Sequence, residues 1–261
     1  MKYFGLILLF ICFSMTSQEI TAPLYLKIPL EAETFVGIDE FQNIYYINNN
    51  ILYKQTKSKL FSYSNISLGK ITTVNIQNPF KLIIFYQDFN AVMIVDNNLN
   101  ELTEKIDFTK ETLFNNVQYV TGSSQNNIWL YADDNKLHLY DYENFSEQTQ
   151  TQPLTFYEED YIPKVIVSTY KNVWILSNLS VLQFNEYGSF IDTFERPGID
   201  SIYPFKKSFI FFESESFFYQ NEKEIIPIDL SHEHVIKDIS VNSSYISIYN
   251  GEFVYQYELK I

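Results

Sequence analysis

The stretch NNIWLYADDNKLHLYD, Asn126 to Asp141, sets an apolar run carrying a Trp against an acidic turn and then restarts as a second apolar run. The same plan recurs along the chain. NIYYI at Asn43, KLIIFY at Lys81, NVWIL at Asn172, SFIFF at Ser208 and SYISI at Ser244 match the run NIWLY at Asn127. Each follows a shorter apolar run: VGI at Val36, VNI at Val74, VQYV at Val117, VIV at Val165, SIY at Ser201 and DISV at Asp238. Each precedes a third: ILYK at Ile51, VMIVD at Val92, LHLYD at Leu137, VLQFN at Val181, FFYQ at Phe217 and FVYQY at Phe253. Ile38, Ile76, Val120, Val167, Tyr203 and Ile239 mark the copies, spaced 36 to 47 residues apart.

Runs this short, β-branched and aromatic, and bounded by Asn, Asp, Ser or Gly, are strands rather than helices. Many lack alternation, as expected where both faces of a sheet are covered. Four-stranded sheets stacked radially have that property, and the period fits a β-propeller. A fourth strand follows in the first five copies, for example SFIDTF at Ser189 and EIIPI at Glu224, but the sixth runs out after its third. PLYLKIPL, Pro23 to Leu30, is available to fill the gap and remove an exposed edge. The predicted fold is all-β, a six-bladed propeller closed by its N-terminal strand. The blades are expected near 34–70, 71–111, 116–158, 161–197, 199–231 and 235–261, the last joined by 23–30. Proline cannot donate to a ladder, and all eight are expected in loops or outermost strands.

Lys2, the apolar run Tyr3–Phe13 and the small residues Ser14, Thr16 and Ser17 have the order of a secretory signal peptide. Residues 1–17 are therefore expected to be removed, leaving 18–261 as one exported domain in the periplasm or cell envelope, monomeric by itself and without a membrane span. Cys12, the only cysteine, would go with them, so the mature domain would hold no disulfide and no thiolate nucleophile. Its stability must come from packing, which 46% hydrophobic and 18% aromatic residues can supply. A net charge of −14 argues against nucleic acid, whose phosphates demand a basic surface.

NNIWLYADDNKLHLYD and YKNVWILSNLSVLQFNEYG resemble blades of regulator-type and NHL-like propellers of secreted bacterial proteins. The Lys-rich, Arg-poor composition resembles that of Bacteroidota proteins, and Asp200-Ser201-Ile202 resembles their short O-glycosylation acceptor. The Gly before the second strand and the Gly-Leu opening the third, common in such blades, are absent here, so no functional residue carries over.

Chemistry is sparse. His232 and His234 are two apart with Glu233 between, so on a strand they would share a face and could bridge a metal. His138 alternates with Leu137 and Leu139, which reads as packing between blades. Acidic clusters such as Asp133–Asn135 and Glu158–Asp160 could suit calcium at a channel mouth, but Asp and Asn are also ordinary turn residues. G-x-S-x-G and H-E-x-x-H do not occur. One feature stands out. Loops between blades and loops joining second to third strands emerge on one face, and they gather most of the acids against Lys70, Lys110, Lys136 and Arg196. An acidic face steers basic partners. Tyr86, Asp88, Phe89, Asp133, Asp134, Tyr157, Glu158, Glu159 and Asp160 are its expected docking residues. The expected function is a non-enzymatic scaffold, without cofactor, docking a protein within an envelope assembly. The alternative is a calcium- or other divalent-metal-dependent hydrolase or lyase.

Overall fold

Asn, Asp and Ser punctuate short strands throughout the computed structural model, which describes residues 19–111, 114, 116–221, 224–231 and 235–260. The expected signal peptide and the pair His232 and His234 lie outside the described residues. The strands are β1 (Ile20–Thr21), β2 (Leu24–Pro29), β3 (Thr34–Ile38), β4 (Ile44–Asn48), β5 (Ile51–Gln55) and β6 (Leu60–Tyr63). There follow β7 (Thr73–Asn75), β8 (Leu82–Tyr86), β9 (Ala91–Val95), β10 (Ile106–Asp107), β11 (Val117–Gly122), β12 (Asn127–Ala132), β13 (Leu137–Asp141) and β14 (Ser146–Gln150). The remainder are β15 (Val165–Ser168), β16 (Asn172–Leu176), β17 (Ser180–Asn185), β18 (Phe190–Glu195), β19 (Ser201–Phe205), β20 (Ser208–Glu213) and β21 (Ser216–Gln220). Last come β22 (Ile225–Asp229), β23 (Asp238–Val241), β24 (Tyr245–Tyr249) and β25 (Phe253–Glu258).

They form six antiparallel blades in chain order, β3–β6, β7–β10, β11–β14, β15–β18, β19–β22 and β23–β25, with β2 supplying the fourth strand of the sixth. The fold is a six-bladed β-propeller. β2 pairs antiparallel with β25 from Leu24 opposite Tyr257 to Pro29 opposite Phe253, so the expected closure is borne out. One pairing was not foreseen. β1 adds parallel to β22, Ile20 opposite Ile228, so the N-terminal segment fastens blade 5 before it completes blade 6.

Burial explains the sequence pattern. Every residue of β8 and β9 is buried, because middle strands are covered by a neighbouring blade on each side. Outermost strands such as β14 and β18 are largely exposed. Apolar side chains gather between successive blades rather than at one centre, each blade burying a face against the next. Phe85, Val92, Leu130 and Tyr140 pack blade 2 on blade 3, and Trp129, Tyr131, Ile175 and Phe184 pack blade 3 on blade 4. The closing interface, blade 6 on blade 1, uses Leu30, Ala32, Phe35, Ile44, Tyr249 and Val254.

Pro204 corrects one expectation. It lies in β19, an innermost strand, opposite Phe209. β19 is an edge of its sheet, so the missing N–H falls on the side with no ladder partner. Asx side chains close the turns. Asp96 accepts from the backbone N–H of Asn98 and Asn100, Asp141 from Glu143 and Asn144, and Asn185 from Tyr187 and Ser189, all where a third strand meets a fourth.

Candidate functional site

The acid-rich face is built from pinned loops. Gln87–Phe89 forms a single 3-10 turn between β8 and β9, ended by Asn90 in the left-handed conformation at φ 47°. The Asn90 side chain accepts from Val117 N–H at 2.8 Å and donates to Thr109 Oγ1 at 3.1 Å, tying this turn to the start of blade 3. Phe89 is exposed and lies across Gly69, where a Cβ would stand 2.8 Å from its ring. Tyr86 is a correction to the expected docking set. It is fully buried, because it ends a strand covered on both sides, and burial pushes its hydroxyl up to about 12.

The turn between β12 and β13 exposes both Asp133 and Asp134, and the Asp134 carboxylate also reaches back to its own hairpin. Asp134 Oδ1 sits 3.0 Å from His138 Nε2 and accepts from Lys136 N–H. His138 is buried, its ring tilted against that of Phe114 with centroids 4.1 Å apart, and its Nδ1 lies 3.5 Å from Glu147 Oε2. It packs between blades, where no substrate reaches it.

The segment between blades 3 and 4 joins this turn through Leu154 N–H to Asn135 O, 2.8 Å. Tyr157 stacks on Phe190 at 4.7 Å and meets Phe184 edge-on, so only part of it faces solvent. Glu158 accepts from the hydroxyls of Ser177 and Ser180 and so staples the segment to blade 4. Tyr161 is buried and donates to Ile175 O at 2.6 Å, its pKa raised chiefly by burial. Glu159 and Asp160 remain exposed.

The structure therefore divides the expected residues. Asp88, Phe89, Asp133, Asp134, Glu159 and Asp160 stand on the surface, Asp134 while also bonded to His138; Tyr157 and Glu158 stand partly there, Glu158 held by Ser177 and Ser180, and Tyr86 is withdrawn. Three exposed apolar residues join them: Phe156 at 74%, Ile162 at 68% and Leu179 at 57%. The sequence pattern does not single out Ile162 or Leu179, since hydropathy alone assigns such residues to a core. The face is also less one-sided than expected. Lys164 and Lys237 belong to it, their N–H groups bonded to Leu176 O and Tyr249 O at the ends of second strands. Arg196 is engaged with Glu213 and lies over the Phe211 ring, so the only arginine is an internal clamp.

The central channel, about 490 Å³, is lined by innermost strands of all six blades. Its polar groups bond to one another: Asn75 Nδ2 donates to Thr121 Oγ1 at 3.0 Å, and Ser168 Oγ lies 3.0 Å from Thr121 Oγ1. Ser201, of the acceptor-like tripeptide, starts β19 with its hydroxyl 2.9 Å from that of Tyr203. Among the described residues no three His, Cys, Asp or Glu side chains converge so as to hold a metal ion. No helix among them is long and apolar enough to cross a membrane.

No family model matches the chain, and no curated protein sequence matches it. Solved structures do. The Pan2 WD40 domain of Neurospora crassa is similar at TM-score 0.59 and 10% identity, over 88% of this chain and 75% of that one. A catalytically inactive virginiamycin B lyase from Staphylococcus aureus with quinupristin is similar at TM-score 0.57 and 11% identity, over 90% and 99%. A streptogramin B lyase gives TM-score 0.57 and 11% identity, over 94% and 83%. The likeness is one of fold. At such identities it carries neither activity nor site from those proteins to this chain.

Proposed function

We propose that this protein is a non-enzymatic binding scaffold, exported from the cytoplasm, that docks a protein partner through the acid-rich face of blades 2 to 4. One observation carries the reading. Asp88, Asp133, Glu159 and Asp160 are exposed carboxylates spread over the same loops that expose Phe89 and Phe156. Apolar anchors within a charged rim are the composition of an interface, and the charge selects a basic partner. Export rests on the order of residues in Met1–Ser17, and an exported scaffold is compatible with a place in an envelope assembly.

The test is affinity purification of an epitope-tagged copy from its native envelope, beside a variant carrying Asp133→Lys, Glu159→Lys and Asp160→Lys. The partner should co-purify with the unaltered protein, be released by high salt, and be missing from the variant. Equal recovery by both proteins would remove this face from consideration.

A further inference from the structure

On the opposite face, a cleft of about 350 Å³ lies between blades 1 and 2, lined among others by Phe41, Lys54, Lys59, Phe61, Phe80 and Asn97. Its walls are two aromatic rings that the fold holds outward. Phe41 is 60% exposed and Phe80 57% exposed, and their rings meet edge-on at 5.8 Å. Neither position is slack. Asp39 accepts from the N–H groups of Phe41 and Asn43, both at 2.9 Å, and Asn78 accepts from Phe80 N–H at 3.0 Å. Two hydrogen-bonded turns on adjacent blades thus each present a Phe to water, and the two rings in contact make one continuous aromatic patch.

Lys54 lies behind them. It is 4% exposed, and its Nζ donates to Asn97 O at 2.8 Å while lying 5.3 Å from the Tyr45 ring centroid. An ammonium has three donors. No carboxylate approaches it within 4.0 Å among the described residues. The carboxylates of Asp39 and Asp96, those that act on Lys54 through space, are committed to their own turns. Burial lowers the Lys54 pKa, against the opposing pull of Asp39 and Asp96. Lys59, exposed on the rim, has no ion-pair partner among the described residues either. Lys54 thus has carboxylates acting through space but none in direct contact, and a buried ammonium gains from a charge-assisted hydrogen bond with an anion brought to it.

We infer that this cleft is a binding site for a carboxylate carried on an aromatic or branched apolar body, the body between Phe41 and Phe80 and the carboxylate on Lys54 and Lys59. The volume is at the small end of ligand pockets, so it suits one residue-sized group: the C-terminal residue of a peptide, or a free acid of that kind. The site is separate from the acid-rich face and stands independently of it.

Calorimetric titration of the full chain decides the matter, using N-acetylphenylalanine, its amide, and a hexapeptide ending in phenylalanine. The acid should bind about tenfold or more tightly than the amide, since a charge-assisted hydrogen bond is lost in the amide. Phe80→Ala and Phe41→Ala should weaken both, and Lys54→Met should erase the preference for the acid. If burial makes Lys54→Met unstable, Lys59→Met at the exposed rim should still narrow that preference. A hexapeptide that binds much more tightly than the acid identifies a protein terminus as the source, and equal binding identifies a free acid. Acid and amide binding alike, no binding by any probe, or binding indifferent to both Phe substitutions would overturn the site.

Discussion

Tyr249→Phe tests whether the ring is held shut by the contacts between blade 6 and blade 1. The Tyr249 hydroxyl accepts from Ala32 N–H at 2.9 Å and lies 2.9 Å from Ala32 O and 2.8 Å from Gly251 O. It has one proton, so it donates to only one of those carbonyls at a time. Removing it does not cost three hydrogen bonds. Ala32 O keeps Lys237 Nζ at 3.2 Å, and Gly251 O sits in the turn between β24 and β25, where water can replace the hydroxyl. The one group stranded is Ala32 N–H in a buried residue, whose desolvation costs about 1–3 kcal/mol. The ring itself stays, and so does its packing at 5.9 Å from Phe35. For a domain of this size about 2 kcal/mol corresponds to a fall in Tm of roughly 4–8 °C. Urea unfolding and calorimetry at pH 7 should both register it, with exposed Tyr187→Phe as a control that changes stability by less than about 0.5 kcal/mol. A Tyr249→Phe protein as stable as the control would refute the latch. A loss well above about 3 kcal/mol would mean the three contacts act as a unit.

Deleting Pro23–Leu30 removes all of β2 and bares β25, so the product should aggregate on gel filtration; a soluble monomer would contradict closure. Gly37→Ala would set a Cβ 2.5 Å from Ser240 Oγ and 2.9 Å from Ile76 Cδ1, at φ 152°. It should cost about 1–3 kcal/mol by overpacking, partly recovered by adding Ser240→Gly, as urea midpoints would show. Tyr86, Tyr131 and Tyr142 are pushed up to about 12, each chiefly by burial. The unfolded chain then releases these protons first, near pH 10, so stability is whole below about pH 10 and falls as the pH rises toward about 12. A Tm that stays flat from about pH 9 to about pH 12 would contradict this.

The fold was legible because blade-to-blade burial leaves a direct mark: middle strands such as β8 and β12 are apolar on both faces and return at a steady period. The closing strand was legible from a deficit, a sixth copy with no fourth strand. β1 was not, since two residues pairing parallel leave no pattern. Site residues were harder. Nothing local distinguishes Glu158, held by Ser177 and Ser180, from Glu159, which is free on the surface; the difference lies about twenty residues away. Tyr86 and Phe89 look alike as aromatics beside an acid, yet one ends a covered strand and the other begins outside it. The cleft at Phe41 and Phe80 needed two turns from different blades to be seen together.

The seam of the ring has a consequence for how the protein is made. Synthesis runs from the N-terminus, so β2 leaves the ribosome long before its partner β25. Ala32 and Tyr249, which meet at the seam, are 217 residues apart. Until β25 is made the chain carries Leu24, Tyr25 and Leu26 without their ladder partner, and they stay partly exposed even once β2 is seated. The seam therefore cannot close until β25 has been made, however early the inner blades pack.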